Sequence, residues 1–195
     1  MKAVIVKAER QAELVDNLVR YINDLDGTNV VVIPASEDIQ EYPARNNYAL
    51  RTAAEAIGYE PFFWLEPDCA PLQKGWLNKI RAEYILSGKE FMLSSDCHPP
   101  HDLIGGIGVY GASTRWLIPK DVPEYGWGWD TWMDNHIPHA IHKTPLIQHS
   151  YGIYNKQGIA DPHRFPRDKS IIRDNALVFH RDKDQEIIKY LSNRS

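Results

Sequence analysis

The chain has 195 residues, of which 43% are apolar and 25% are charged. This composition is ordinary for a globular protein, and the length fits one domain with a substantial core. The formal net charge of −4 provides no overall basic field, which argues against a dedicated nucleic-acid-binding protein. A DNA-modifying enzyme stays compatible with the sequence, because four basic residues, which could form a local patch, occur from Arg164 to Arg173.

The cysteine content and the hydropathy indicate a cytoplasmic protein. Cys69 and Cys97 suggest no disulfide framework, so we expect two reduced thiols. The apolar run Ala3–Val6 is too short for the core of a signal peptide. No apolar stretch approaches the ~20 residues of a membrane span. We therefore expect no membrane association, and no obligate protein partner is evident.

The first half of the chain alternates strand and helix patterns. Strands are predicted at Lys2–Lys7, Asn29–Ile33, Phe62–Leu65 and Phe91–Ser94. Helices are predicted at Arg10–Leu25, Tyr48–Ile57 and Leu72–Ser87, and a loop at Ile39–Asn46. This alternation predicts an α/β fold, Rossmann-like, with a mostly parallel central sheet flanked by helices.

The second half has a different texture. After Pro99-Pro100, the patterns become a Gly-rich strand at Ile104–Tyr110 and short helices at Asp130–His136 and Gln185–Leu191. No internal repeat or linker separates the halves. We therefore predict one domain, 1–195, with a nucleotide-binding half at 1–98 and an acceptor-side half at 99–195.

Two acids follow the most apolar strand. The run Phe62–Leu65 ends in Glu66, Pro67 and Asp68. Residues i and i+2 of an extended chain point to the same side, so the two carboxylates can converge on one small, hard target. Ligands bind at the carboxyl ends of strands in such sheets, and carboxylate oxygens suit Mg²⁺ or Mn²⁺. The alternative is that both acids are solvated residues of a turn.

A polar segment precedes the second predicted helix. Arg45 and Asn46, with Arg51 inside the helix, can bind phosphates or sugar hydroxyls. An Asn N-cap with a surface arginine explains the same residues equally well. Gly105 and Gly106 lie in the Gly-rich strand, where a ligand can approach the backbone closely. The alternative there is a bent strand.

Aromatic residues surround one acid in the second half. Trp127 and Trp129 precede Asp130, and Trp132 follows in the same short helix. The tryptophans are candidates for stacking on a sugar or a base. Asp130 is either a catalytic carboxylate or simply the N-cap of the helix.

A short apolar strand near the C-terminus ends in His180, with Lys183 three residues later. Imidazole is a good ligand for transition metals, and a lysine can neutralise a diphosphate. His149 is the rival for the metal role, and an exposed turn is the alternative to both. A structural zinc site is less favoured, because Cys97 has no CxxC partner beside His98 and His101. His136, His139 and His142 are interrupted by a proline.

Together these features resemble small nucleotide-sugar glycosyltransferases of the GT-A fold, especially compact enzymes of bacteriophages. Three segments carry the resemblance: Tyr42–Tyr48, Trp64–Leu72 and His180–Lys183. It implies a UDP-sugar such as UDP-glucose bound across the N-terminal half, and a Mn²⁺ or Mg²⁺ ion on its diphosphate.

The resemblance also implies roles for single residues. Asp68 and His180 would hold the metal, Lys183 would contact the β-phosphate, and Asp130 would be the general base of an inverting enzyme. Trp129 stands where the family commonly has a second acid. The stereochemistry of transfer stays open.

The phage-like resemblance suggests a hydroxymethylated pyrimidine in DNA as the acceptor, and the host cytoplasm as the compartment. A flipped base would stack on Trp127, Trp129 and Trp132. Saccharides and small molecules fit the aromatic residues equally well. The rival functions are a non-catalytic nucleotide- or sugar-binding module and a nucleotidyltransferase. The second rival normally has a Gly-rich phosphate loop, which Lys7–Arg10 lacks.

Overall fold

A computed structural model describes residues 1–35, 44–97, 103–117, 128–149, 172–180, 182 and 185–193, without the side chains of 95–97 and 103. The strands are β1 Lys2–Lys7, β2 Val30–Pro34, β3 Phe62–Leu65, β4 Cys69–Pro71, β5 Phe91–Cys97, β6 Leu103–Tyr110, β7 Ile141–Thr144, β8 Ile147–His149 and β9 Val178–His180. The helices are α1 Ala12–Asp26, α2 Ala44–Ile57, α3 Trp76–Ser87, α4 Thr114–Leu117, α5 Trp129–His136 and α6 Glu186–Ser192. Short 3₁₀ turns occupy Glu9–Gln11 and Pro138–Ala140.

Within the described residues, six strands form the main sheet in the order β2-β1-β3-β6-β5-β7. The pairs β1–β2, β1–β3 and β5–β7 are parallel. Strand β6 is antiparallel to both of its neighbours, β3 and β5. The expected α/β fold with a mostly parallel sheet is thus confirmed, with β6 as the one reversed strand among the described strands of this main sheet.

The core lies on both faces of this sheet. Phe63 of β3 packs edge-on against Trp76 of α3, with the ring centroids 5.2 Å apart. Its neighbour Trp64, on the opposite face, packs edge-on against Trp129 of α5 at 6.5 Å. All four rings are buried, which explains why the β3 sequence is apolar at every position rather than alternating.

A smaller sheet brings the C-terminal region to the end of the main sheet. Strand β9 is central, antiparallel to β4 and parallel to β8. The two sheets are tied where the Ser94 hydroxyl of β5 donates to the carbonyl of Ile147 in β8, at 2.8 Å. The start of β4 and the ends of β8 and β9 therefore share one edge, which lies where β3 ends.

Two predicted helix starts were wrong by four residues, and both lie near the acids. Helix α2 begins at Ala44 instead of Tyr48, so the polar segment forms its first turn instead of a loop. The residues after Asp68 form β4, and α3 begins only at Trp76. Pairing with β9 overrides the local pattern there, and Gly75 before the helix has the left-handed φ of 72° that favours glycine. No described helix has the length and apolar character needed to cross a membrane.

Candidate active site

The acid pair lies in a tight turn between β3 and β4. The amide of Cys69 donates to the Glu66 carbonyl at 3.1 Å, closing the turn around Pro67. The amide of Asp182 donates to the Asp68 carbonyl at 2.9 Å, so the C-terminal region holds the turn from outside. The Asp68 carboxylate is almost fully buried, and that of Glu66 is partly exposed.

His180 meets both acids. Its Nε2 lies 3.2 Å from Glu66 Oε2 and 3.3 Å from Asp68 Oδ1. The pairing of β4 with β9 explains this, because His180 lies opposite Cys69, directly after Asp68. Two carboxylates and one imidazole, distant in sequence, thus converge at the end of the main sheet.

The charge of the two acids governs the ionisation of His180. Burial lowers the pKa of this imidazole, but the charge and hydrogen bonds of Asp68 and Glu66 raise it more, so the pKa lies above its ordinary value. In the metal-free protein, Nε2 of this imidazole carries the proton that the carboxylates accept, because carboxylate oxygens are acceptors. A divalent cation would take the place of that proton.

These residues fit a divalent metal ion. One ligand atom from each of Glu66, Asp68 and His180 lies within 4.8 Å of the others. Two hard oxygens with one imidazole nitrogen suit Mn²⁺ and related first-row ions well, and Mg²⁺ less well. Asp68 and His180 were the ligands implied by the family resemblance, and Glu66, the other acid of the predicted pair, lies in the same group.

His149, the rival candidate, lies behind His180 instead of among the carboxylates. The Nδ1 atoms of the two rings are 2.7 Å apart, and the rings meet edge-on with centroids at 4.3 Å. Both side chains are buried. His180 thus turns Nε2 toward the acids and Nδ1 toward His149.

A cavity of about 120 Å³ opens beside the acid pair. It lies between the end of β1, helix α1 and the first turn of α2. The amide of Asn46 donates to Glu66 Oε1 at 3.2 Å, and Arg45 Nε donates to Asn46 Oδ1 at 3.1 Å. The predicted Arg45 and Asn46 therefore both line the cavity, and Asn46 contacts the acid cluster directly. Trp64 and Gln11 also line it, and no sequence pattern had marked Gln11.

Arg51 is not part of this arrangement. It follows Arg45 by six residues and Asn46 by five, which places it on another side of α2. Its cavity, of about 160 Å³, is shared with Thr114 and Trp116 of α4. Because α2 begins at Ala44, Arg45, Asn46 and Arg51 all lie on the same helix, and its geometry turns Arg51 away from the other two.

Asp130 lies in the first turn of α5, close enough to Glu66 and His180 for their charges to affect its pKa. Burial raises its pKa to about 6, opposed by a hydrogen bond from the Thr131 amide and reinforced by the charge of Glu66. The helix start is held by Asn47, whose side-chain oxygen accepts from the Trp129 amide at 3.0 Å. Asp130 is ionised at neutral pH but easier to protonate than an ordinary aspartate.

Trp129 does not fit the acceptor-stacking role expected for it. Its indole is 2% exposed, and its Nε1 donates to the Tyr110 hydroxyl at 2.5 Å. That hydroxyl donates in turn to the carbonyl of Gly106. A Cβ on Gly106 would lie 2.7 Å from Trp129 Cζ2. Gly106 therefore makes room for an indole and not for a sugar, and neighbouring Gly105 is buried in β6 as well.

Trp132 is the one described tryptophan of this group that is partly exposed. It stacks on His136 with the ring centroids 4.9 Å apart. Trp127 and Lys183 lie outside the described residues, as does most of the basic stretch that ends at Arg173. No role was predicted for Asn47, because its partner is the Trp129 backbone amide, which is far along the chain.

Comparison with known proteins supports the fold. The chain is similar to the crystal structure of a glycosyltransferase involved in the glycosylation of the major capsid of PBCV-1. The TM-score is 0.54 and the identity 15%, over 97% of this chain and 100% of that chain. No protein-family model matches the sequence, and no curated protein does. At this identity the likeness establishes a shared fold and leaves the activity to be argued from the site.

Proposed function

We propose that this chain is a metal-dependent glycosyltransferase of the GT-A type, which moves a sugar from a nucleotide sugar to an acceptor hydroxyl. The observation that carries the proposal is the convergence of Glu66, Asp68 and His180 beside a cavity, at the end of the sheet. The shared fold with a glycosyltransferase supports it. A UDP-sugar remains the favoured donor on the family resemblance.

The donor would lie across the N-terminal half, with its nucleoside in the cavity of Arg45 and Asn46. Mn²⁺ or Mg²⁺ held by Asp68 and His180 would supply positive charge for the departing diphosphate. The Asn46 amide donates to the Glu66 carboxylate, so a donor in the cavity would contact Asn46, the residue that orients one acid of the proposed metal site. Lys183 remains the proposed contact of the β-phosphate.

Asp130 is the proposed general base. Its carboxylate takes the proton of the acceptor hydroxyl, whose oxygen bonds to the anomeric carbon of the sugar. The bond from that carbon to the diphosphate breaks, and the diphosphate leaves with the electron pair. A general base is most effective when its pKa lies near the pH at which the enzyme works. Burial raises the pKa of Asp130 to about 6, which is closer to neutral pH than the ordinary value.

A hydroxymethylpyrimidine of DNA remains the acceptor to be tested first. Fewer residues support this acceptor than the sequence suggested, because Trp129 is buried in the core. Of the described tryptophans in this group, Trp132 is the one exposed enough to stack on a base. Saccharide and small-molecule hydroxyls are the alternative acceptors. The cytoplasm remains the proposed compartment, on the cysteine content and the phage-like resemblance.

The test is Mn²⁺-dependent release of UDP from UDP-glucose, followed by mass spectrometry of hydroxymethylated DNA and of saccharide acceptors. Asp68→Ala should lower the rate by about 10²–10³-fold, as expected when charge stabilisation of the leaving group is lost. Asp24→Asn is the matched control, since Asp24 is exposed on α1, and should keep the rate of the wild type.

Two outcomes would contradict the proposal. If Asp68→Ala keeps the wild-type rate while its melting curve shows a folded protein, the metal-dependent mechanism is wrong. If the wild type binds UDP-glucose with Mn²⁺ but turns over none of the donors and acceptors, the chain is a binding module instead of an enzyme.

A further inference from the structure

The small sheet places a second histidine directly behind the imidazole of the acid cluster. His149 and His180 are paired residues of the parallel strands β8 and β9, and each is the last residue of its strand. Cys69, the first residue of β4, lies opposite His180 on the other side. The backbone of three paired strands therefore fixes where His149, His180 and Asp68 stand relative to one another.

The contact between the two rings constrains their protons. A hydrogen bond of 2.7 Å between two Nδ1 atoms needs one protonated and one unprotonated nitrogen. When Nε2 of His180 is a metal ligand, that nitrogen carries no proton. The neutral ring then has its proton on Nδ1, and this proton can only be donated to His149.

We infer that His149 is a positioning residue for the metal: its unprotonated Nδ1 accepts from His180 Nδ1 and thereby presents the His180 Nε2 lone pair to a cation between Glu66 and Asp68. This inference rests on the metal site of the proposed function. Metal-ligating histidines generally need such a partner on the second nitrogen. Here the partner is another imidazole instead of a carboxylate or a carbonyl.

An imidazole in this place has a property that a carboxylate lacks. Without a cation, His180 holds a proton on Nε2 against the acids, and His149 can then act as donor or acceptor at Nδ1. With a cation, the same ring acts as acceptor. His149 thus keeps the buried His180 hydrogen-bonded in both states without adding a third negative charge to the cluster.

The affinity for Mn²⁺ tests this without any activity measurement. Free Mn²⁺ is measured by electron paramagnetic resonance during titration of the wild type, His149→Phe, His149→Gln and His180→Ala. Loss of such a partner typically weakens metal binding 10–100-fold, so we expect this for His149→Phe. His149→Gln keeps an acceptor oxygen and should recover most of the affinity. His139→Phe, at an exposed histidine, should match the wild type.

The outcomes separate this inference from the proposed function. Wild-type affinity in a folded His149→Phe overturns the positioning role while the metal site stands. If neither the wild type nor His180→Ala binds Mn²⁺, the metal site itself is wrong, and the inference fails with it.

A second measurement uses the wild type alone, in case His149→Phe does not fold. Imidazole ¹⁵N chemical shifts with Zn²⁺, a diamagnetic probe, report the protonation of each ring nitrogen. We expect His180 to carry its proton on Nδ1 and His149 on Nε2. A proton on Nδ1 of His149 in the Zn²⁺-bound protein would overturn the inference.

Discussion

At the scale of single residues, burial of the ionised Asp130, the proposed base, lowers the stability of the folded protein. The pKa of Asp130 is about 6 in the folded chain against an ordinary value of 3.8, chiefly because burial disfavours its charge. Between these two values the folded state holds a proton that the unfolded state releases. Stability therefore falls as the pH rises through this window, and the full penalty persists above pH 6.

Asp130→Asn should remove this penalty. At pH 7.5 we expect the metal-free variant to gain on the order of 1–3 kcal/mol of unfolding free energy, or about 3–10 °C in melting temperature. The neutral amide still offers an oxygen to the Thr131 amide. The gain should shrink toward pH 4.5, where the wild-type carboxyl is largely protonated. Thermal melts of both proteins across this range are the measurement.

The same variant should lose transfer. Without a base to take the acceptor proton, the rate should fall by about 10²–10⁴-fold, while donor binding by calorimetry stays that of the wild type. A variant that is neither stabilised at pH 7.5 nor slowed would show that Asp130 is an ordinary residue of the helix start.

At the scale of elements, the first turn of α2 connects the two parts of the site. Asn46 holds Glu66 of the acid cluster, and the next residue, Asn47, holds the start of α5. Behind that start, Trp129 fills the space that Gly106 leaves in β6. The position of Asp130 therefore depends on contacts made by α2 and β6 and not on α5 alone.

Gly106→Ala tests this dependence. Its Cβ would lie 2.7 Å from Trp129 Cζ2, so the indole must shift and carry the start of α5 with it. We expect a loss of about 1–3 kcal/mol in stability, the usual cost of overpacking. Transfer should fall, whereas Mn²⁺ affinity, set by other elements, should hold.

Trp129→Phe supplies the control in a double-mutant cycle. The smaller ring should relieve the clash, so the double variant should be more stable than the sum of the single changes predicts. Strict additivity would mean that the alanine is accommodated without moving the helix.

At the scale of the whole molecule, the proposed metal site joins two sheets. Glu66 and Asp68 follow β3 of the main sheet, whereas His180 ends β9 of the small sheet. The three side chains come together only in the folded chain, so a cation bound between them would stabilise the fold as a whole.

Mn²⁺ should therefore raise the melting temperature. At a concentration of 100 times the dissociation constant, the gain is about 2.7 kcal/mol, or about 5–10 °C for a chain of this size. Mg²⁺ should shift it less, because it has little preference for an imidazole ligand. His180→Ala should melt at the same temperature with and without Mn²⁺. An equal shift in that variant would place the cation elsewhere.

Sequence patterns predicted the elements of the first half well, because they depend on local periodicity. Strand β1 and strand β3 were predicted with the observed bounds, and α1 ends before Gly27, whose φ of 71° suits a helix C-terminus. The patterns failed for β4 and β8, which have three residues each. Both strands pair with β9 and are too short to show a period, whereas β9, equally short, was predicted because its run is apolar throughout from Ala176 to Phe179.

The i, i+2 spacing of Glu66 and Asp68 after an apolar strand was enough to single out the acid pair, because the geometry of an extended chain is local. Which histidine joins them was decided by the tertiary structure. The register of β9 against β4 turns His180 toward the carboxylates and leaves His149 behind it. Likewise, only the packing of α5 on β6 shows that Trp129 is buried. The local course of the backbone is determined by neighbouring residues in the sequence. The direction in which a side chain points, and whether it is buried, depends on contacts with residues that are distant in sequence and meet only in the folded protein.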